Sequence, residues 1–223
     1  MRTHAVFLRL EGRRCVVVGG DAVAERKVEG CLAARASVTV VAETLTPGLE
    51  RLCSAGRIAC HRRPYRHGDL RGAALVYAVE RDADVIAVLR AEAAREGAWL
   101  NVVDVPEASS FFAPAIVARG ELQVAIGTGG ASPGLASRLR RQLETHIGPE
   151  YGPYVDILGA VRRTLPGDRR AAVMDRLVDS DLLALVRRRE TTAIDALLTR
   201  LLGETCTLGQ LGVAIEEAAD RWT

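Results

Sequence analysis

Lysine is almost absent from this chain. Lys27 is the only one among 30 basic residues, and all the others are arginine. A GC-rich coding sequence accounts for such a bias. So does carboxylate recognition, which suits arginine's planar fork. No apolar run approaches the roughly 20 residues that a membrane helix needs. The N-terminus, MRTHAVFLRLEGRR, has neither the apolar stretch nor the small-residue cleavage site of a secretion signal. The expectation is a cytoplasmic protein without a membrane partner. A formal net charge of +2 is too close to neutral to argue for nucleic acid. The five cysteines (Cys15, Cys31, Cys53, Cys60, Cys206) include no C-x-x-C pair, and the four histidines are scattered. Neither a disulfide framework nor a metal site is indicated, and the cysteines read as small core residues. Repeats and low-complexity tracts are missing too. What the chain does have is 223 residues at 48% hydrophobic content, enough for one large domain or two modest ones with a substantial core.

The sequence is organised around Cys15 to Lys27, CVVVGGDAVAERK. Four apolar residues run into Gly19-Gly20, and a helical pattern starts by Val23. A strand, a glycine turn and a helix N-terminus together make a place for a pyrophosphate, because the turn admits close approach and the helix end offers N–H groups. The dinucleotide fingerprint wants glycine at its first, third and sixth places. Those places hold Gly19, Asp21 and Ala24. Alanine is accepted at the last. Asp21 is a departure, since it brings a negative charge to where an anion should lie. Dinucleotide binding and a non-binding Rossmann-like domain both remain open on this stretch alone.

Further along, Ser37 to Ala42, Arg57 to Cys60, Ala73 to Val79 and Trp99 to Val103 read as strands. Ala22 to Ala34, Pro47 to Ala55 and Asp82 to Glu96 read as helices. This alternation predicts an α/β fold with a Rossmann-like parallel sheet, whose ligands sit beyond the carboxyl ends of the strands. Glu43 follows strand two, where an acid holds the ribose of NAD; a solvated loop glutamate is the other reading. Asp104 follows the strand LNVV, as either a turn cap or a catalytic carboxylate facing the cleft.

After Pro106 the pattern changes. Ser109 to Ile116 and Glu121 to Thr128 look like two strands joined at Arg119-Gly120. The loop GTGGASPG, Gly127 to Gly134, precedes a helix over Pro133 to His146 that carries Arg138, Arg140 and Arg141. It is a second anion-friendly helix start, or a plain glycine turn with Ser132 as cap. From Pro149 only helical patterns occur: Pro153 to Thr164, Arg169 to Val178, Asp181 to Leu202 with a break near Glu190, and Leu208 to Trp222.

Two runs carry a family resemblance. VVVGGDAVAERK and LNVVDVPEASSFFAPAIVARGELQVAIGTGGASPGLASRLRRQLE are similar to motifs of the precorrin-2 dehydrogenase family, the dehydrogenase and ferrochelatase part of sirohaem synthases. The likeness covers roughly residues 1–150. It implies an NAD-binding Rossmann domain over 1–113, a small strand-rich dimerisation segment over 114–147 and a C-terminal helical domain over 148–223, paired as a homodimer. It also implies NAD-dependent oxidation of the tetrapyrrole precorrin-2 to sirohydrochlorin, with insertion of Fe2+ or Co2+ in some members. The family's essential acid falls on Asp104. The implied cofactor contacts fall on the Gly19-Gly20 turn, Ala22, Val23, Glu43 and Thr44. Thr128 and Gly129 lie in the family's active-site loop, and Arg138 and Arg141 are placed to meet substrate carboxylates, unless they form only a solvated face. Three departures stand out: Asp21 and Arg35 where glycine is usual, and Ala78-Val79-Glu80 where Ala-Thr-Asp is usual. They motivate an alternative, a regulatory protein that binds NAD or a tetrapyrrole with weakened catalysis. A DNA-binding sensor is disfavoured, because strand one begins near residue 14 and leaves no room for a preceding helix-turn-helix. No methyltransferase domain is expected.

Overall fold

Short β-branched runs with both faces apolar form buried parallel strands, and the centre of this protein is built from them. The computed structural model describes residues 3–202 and 206–215, with Asp168 described by its backbone alone. Strands β1 (Arg14–Val18), β2 (Ser37–Val41), β3 (Ala59–His61), β4 (Leu75–Ala78) and β5 (Trp99–Val102) make one sheet in the order β3-β2-β1-β4-β5. Every neighbouring pair is parallel, with Val17 opposite Val40 on one side and Tyr77 on the other, and Tyr77 opposite Asn101. The order reverses at β1. The ligand crevice of such a sheet therefore opens beyond the carboxyl ends of β1 and β4.

Helices cover both faces. Helix α1 (Ala22–Ala33) packs Ala24, Val28 and Cys31 with Cys15, Val17, Val38 and Val40, and α2 (Pro47–Ser54) adds Leu49. Helix α3 (Ala83–Glu96) buries Leu89 and Ala93 on Val16, Val18, Val76 and Leu100. Each of these helices starts at a residue whose side chain binds the first free N–H groups: Asp21, Thr46 and Asp82. Arg35, after α1, has φ 57° and so occupies the left-handed position that glycine fills more cheaply.

Among the described residues one charged side chain is buried, along with the polar Thr39 and Asn101. Glu92 of α3 is 1% exposed. It accepts hydrogen bonds from the Tyr65 hydroxyl, from the Gly68 N–H at 3.0 Å and from the Leu70 N–H at 2.9 Å, with His67 Nδ1 3.2 Å away. Burial works against its charge, but these donors outweigh that and hold its pKa below the usual glutamate value. The loop between β3 and β4 is thereby clamped to α3, and the Arg63–Asp69 ion pair at 2.6 Å braces it further.

The contacts divide the chain into two units, Met1–Ala113 with Gly127–Ser132, and Pro114–Ile126 with Pro133–Thr223. In the second unit, β6 (Ala115–Arg119) and β7 (Leu122–Ile126) form an antiparallel hairpin. Its turn glycine, Gly120, has φ 58° and backs onto Gly152, where an added Cβ would lie 3.4 Å from the Cα. Around it are α4 (Pro133–Glu144), α5 (Tyr151–Thr164), α6 (Gly167–Val178), α7 (Leu182–Arg188), α8 (Thr191–Leu202) and α9 (Leu208–Leu211). Ile157, Val161, Leu177, Leu182, Ile194 and Leu198 form their core.

Two elements differ clearly from the sequence reading. The strand expected over 109–116 begins only at Ala115. Upstream, Ser109 and Ser110 line the open edge of β5 with their hydroxyls, which accept from the N–H groups of Val102 at 2.9 Å and Leu100 at 2.8 Å. Side chains thus do the edge-covering that a ladder would do. The helix expected from Leu208 to Trp222 stops at Leu211, because Gly212 turns left-handed with φ 67°; residues after 215 lie outside the described part. Residues 5–10 form no strand, and Val6, Phe7 and Leu8 are exposed.

Candidate functional site

The glycine turn after β1 is tighter than the motif alone indicates. Gly19 has φ 124°, and a Cβ there would come within 2.9 Å of the Val79 Cβ. A Cβ on Gly20 would lie 1.9 Å from the Thr44 carbonyl oxygen. Both glycines are therefore required by packing against the segments that follow β4 and β2. The Gly19 N–H donates to the Val41 carbonyl at 2.9 Å, and the Thr46 N–H to the Gly20 carbonyl at 3.0 Å.

The N–H groups of Gly20, Asp21 and Ala22 find no hydrogen-bond partner among the described residues. Three successive unpaired donors at a helix N-terminus suit a pyrophosphate. The Asp21 carboxylate does not stand in front of them. It folds back as the cap of α1 and accepts from the Val23 and Ala24 N–H groups at 2.9 Å each. Val23 thus spends its N–H inside the protein, and the cap's negative charge offsets part of the helix dipole. The turn fits a dinucleotide, with an anion site weaker than an uncharged cap would leave.

Around this turn lie the ends of the other strands. Glu43 and Thr44 are exposed just after β2. After β4, the Val79 N–H donates to the Val18 carbonyl at 2.8 Å, while the Glu80 carboxylate receives the N–H groups of Arg81 at 2.7 Å and Asp82 at 3.0 Å. Val79 and Glu80 at this departure thus have structural tasks, one against Gly19 and one at the start of α3.

Asp104 follows β5. It has φ 62°, a left-handed conformation uncommon outside glycine and best tolerated otherwise by Asp and Asn, and it is exposed. It caps nothing: its carboxylate makes no hydrogen bond or ion pair among the described residues, and the 3-10 turn at Pro106–Ala108 begins without a side-chain cap. A strained backbone that presents an unpaired acid at the carboxyl edge of the sheet is what functional positions tend to show. Proton acceptance is the chemistry open to it.

Lys27 lies outside the glycine fingerprint, although it is the sole lysine and closes the run VVVGGDAVAERK that carries the family resemblance. It lies half-buried on α1, with Nζ 5.2 Å from the centre of the Tyr77 ring. Phe111 meets the same ring edge-on at 5.3 Å. Burial, helped by the nearby Arg26, lowers the Lys27 pKa, while Cys31 and Asp104 act in the opposite direction.

In the loop before α4, Gly129 and Gly130 have φ 61° and 82°. The Thr128 hydroxyl accepts from the Ser132 N–H at 3.1 Å, and the Thr128 carbonyl from Ala131 at 3.0 Å. Within the second unit, Arg138 and Arg141 are exposed on α4 and line an open groove of about 760 Å³ with Leu139, Gln142, Thr145 and His146. Arg140, by contrast, is paired with Glu144. Among the described residues no group of three or more His, Cys, Asp or Glu side chains gathers as a metal site.

Sheet order, glycine turn and unpaired N–H groups define a Rossmann-type unit with a turn suited to a dinucleotide pyrophosphate. Comparison with known proteins agrees. Residues 6–115 match a family model described as NAD(P)-binding, and residues 119–146 match the central part of sirohaem biosynthesis proteins. The sirohaem synthase of Methylobacillus flagellatus is 42% identical over 152 residues, which is 68% of this chain and 32% of that protein. Sirohaem synthase 1 of Aeromonas salmonicida is 35% identical over 214 residues, 92% of this chain and 46% of that protein. The chain thus spans less than half the length of these relatives. A solved structure titled "SirC, precorrin-2 dehydrogenase" superposes with a TM-score of 0.73 at 26% identity, covering 90% of this chain and all of that one. The chain belongs to the precorrin-2 dehydrogenase family, to which the N-terminal part of sirohaem synthases also belongs.

Proposed function

We propose that this chain oxidises precorrin-2 to sirohydrochlorin with NAD+ in sirohaem or cobalamin biosynthesis, and that Asp104 is its proton acceptor. The observation that carries this reading is the unpaired, exposed carboxylate of Asp104, held at φ 62° on the unit that bears the glycine turn. When bound, the nicotinamide accepts a hydride from the macrocycle. The oxidised ring must also lose a proton, and Asp104 takes it; a carboxylate with no other partner is free to do so. The turn at Gly19-Gly20 and the N–H groups of Gly20 and Ala22 hold the pyrophosphate, beside Val23. Glu43 and Thr44 hold the adenosine ribose, which makes NAD rather than NADP the cofactor.

Thr128 and Gly129 contact the substrate. Arg138 and Arg141 pair with its carboxylates, supported by their exposed guanidinium groups, which make no ion pair among the described residues. Asp104 also takes protons from ring nitrogens if Fe2+ or Co2+ is inserted at this site. Residues 1–113, 114–147 and 148–223 serve as cofactor, dimerisation and helical parts. Exposed Ile116, Leu135 and Leu139 support pairing of two copies through the middle part. The protein works in the cytoplasm; no described helix is long and apolar enough to cross a membrane.

The test is anaerobic incubation of purified protein with precorrin-2 and NAD+. Sirohydrochlorin and NADH should form in equal amounts. The second reading, a binding protein with weakened chemistry, draws on the Asp21 cap that offsets the α1 dipole. Tight NAD+ or sirohydrochlorin binding without turnover would favour it over the first.

A further inference from the structure

We propose that Lys27 binds a carboxylate of the tetrapyrrole and so fixes how the macrocycle lies toward Asp104; this rests on the dehydrogenase reading above. The case begins with an unsatisfied group. The Lys27 ammonium is half-buried and has three N–H donors, yet it makes no hydrogen bond or ion pair among the described residues. Its nearest favourable contact is the face of Tyr77, 5.2 Å from Nζ. A ring face repays only part of the cost of drawing an ammonium out of water. Such a group is a cation that no anion among the described residues pairs with by hydrogen bond or salt bridge.

Its position says which anion. Tyr77 lies one residue before the end of β4, between Val17 of β1 and Asn101 of β5. Phe111 packs on that ring from the segment held to β5 by the Asn101 Nδ2 to Phe111 carbonyl bond at 3.0 Å. Asp104 ends the β5 side of the same crevice and is close enough to Lys27 to act on its charge. Lys27, over the Tyr77 ring near the end of β4, and Asp104, just after β5, thus belong to the same end of the sheet. A flat macrocycle bordered by acid groups can place one acid on the cation and a reacting carbon near the proton acceptor. The dinucleotide phosphates are the other source of negative charge. They belong at the unpaired N–H groups of Gly20 to Ala22, and Lys27 lies more than a helical turn further along α1.

The experiment measures dissociation constants of sirohydrochlorin and of NAD+ on wild type, Lys27→Met and Lys27→Arg, with thermal unfolding alongside. Lys27→Met should bind sirohydrochlorin about tenfold or more weakly and NAD+ within about twofold of wild type. Its unfolding temperature should not fall, because an unpaired buried charge has been removed. Lys27→Arg, which keeps the charge, should stay within about threefold of wild type for sirohydrochlorin, the loss of one neutral hydrogen bond at most. Unchanged sirohydrochlorin affinity in the methionine variant overturns the proposal. So does a loss confined to NAD+, which would assign Lys27 to the cofactor, and so does an arginine variant as weak as the methionine one. A wild type that neither binds sirohydrochlorin nor turns over precorrin-2 refutes the dehydrogenase reading itself, whereas an active wild type with an indifferent Lys27→Met refutes only this residue's role.

Discussion

Two carboxylates of the same unit have opposite surroundings. Glu92 is sealed in the interior with the Tyr65 hydroxyl and the N–H groups of Gly68 and Leu70 around it. Asp104 is exposed, sits at φ 62° and makes no hydrogen bond or ion pair among the described residues. The first holds a loop on a helix. The second costs some backbone energy and returns no hydrogen bond or ion pair among the described residues. Burial and hydrogen bonding mark a structural acid, while strain and the lack of any partner mark an acid kept for a ligand.

Removing each group should break the symmetry of that contrast. Glu92→Ala leaves the Gly68 and Leu70 donors and the Tyr65 hydroxyl unsatisfied, and chemical denaturation should show a loss of about 3 kcal/mol or more. The bound NAD+ fraction, corrected for folded protein, should hardly change. A loss below about 1 kcal/mol would mean that the clamp is not structural. Acid titration sharpens the point. The Glu92 pKa is lower in the folded state than in the unfolded chain. Its contribution is therefore complete above about pH 4.3 and fades as the pH falls through the folded value. Unfolding of Glu92→Gln followed against pH should lose that part of the acid dependence.

A smaller effect is expected at the glycine turn. Asp21→Asn keeps a good cap for α1 but removes the charge beside the unpaired N–H groups. NAD+ should bind about three- to tenfold more tightly, as expected for about 1 kcal/mol of dipole and charge interaction. Calorimetric titration checks this, and unchanged affinity would detach Asp21 from the cofactor. The smallest effect is Asp104→Gly. Relief of a left-handed aspartate should raise stability by up to about 1 kcal/mol. A destabilised glycine variant would show that Asp104 holds the fold after all.

The parts that follow from local pattern were legible in the sequence. The apolar runs at 15–18 and 37–41, the glycine turn and the starts of α1, α2 and α3 follow from propensity, whereas the capping role of Asp21 shows only in the structure. The Ser109 to Phe112 stretch misleads because its hydroxyls satisfy a strand edge through side chains, which period and propensity do not register. Glu92 is hidden in the run AEAARE, which reads as a solvated helix face until the β3–β4 loop folds over it. The packing need for Gly20 arises from the Thr44 carbonyl, 24 residues away in sequence. The left-handed backbone of Asp104 and the isolation of Lys27 are equally non-local, since only tertiary structure shows which groups lack partners.

The most direct measurement is single-turnover oxidation of precorrin-2 by NAD+ in Asp104→Asn. Asparagine tolerates the left-handed backbone and keeps the side chain's size, so only the ability to take a proton as a carboxylate is lost. The rate should fall by at least about a hundredfold, with NAD+ and sirohydrochlorin affinities within about threefold of wild type, since one neutral contact at most has changed. A rate equal to that of wild type would contradict the assignment of proton transfer to Asp104.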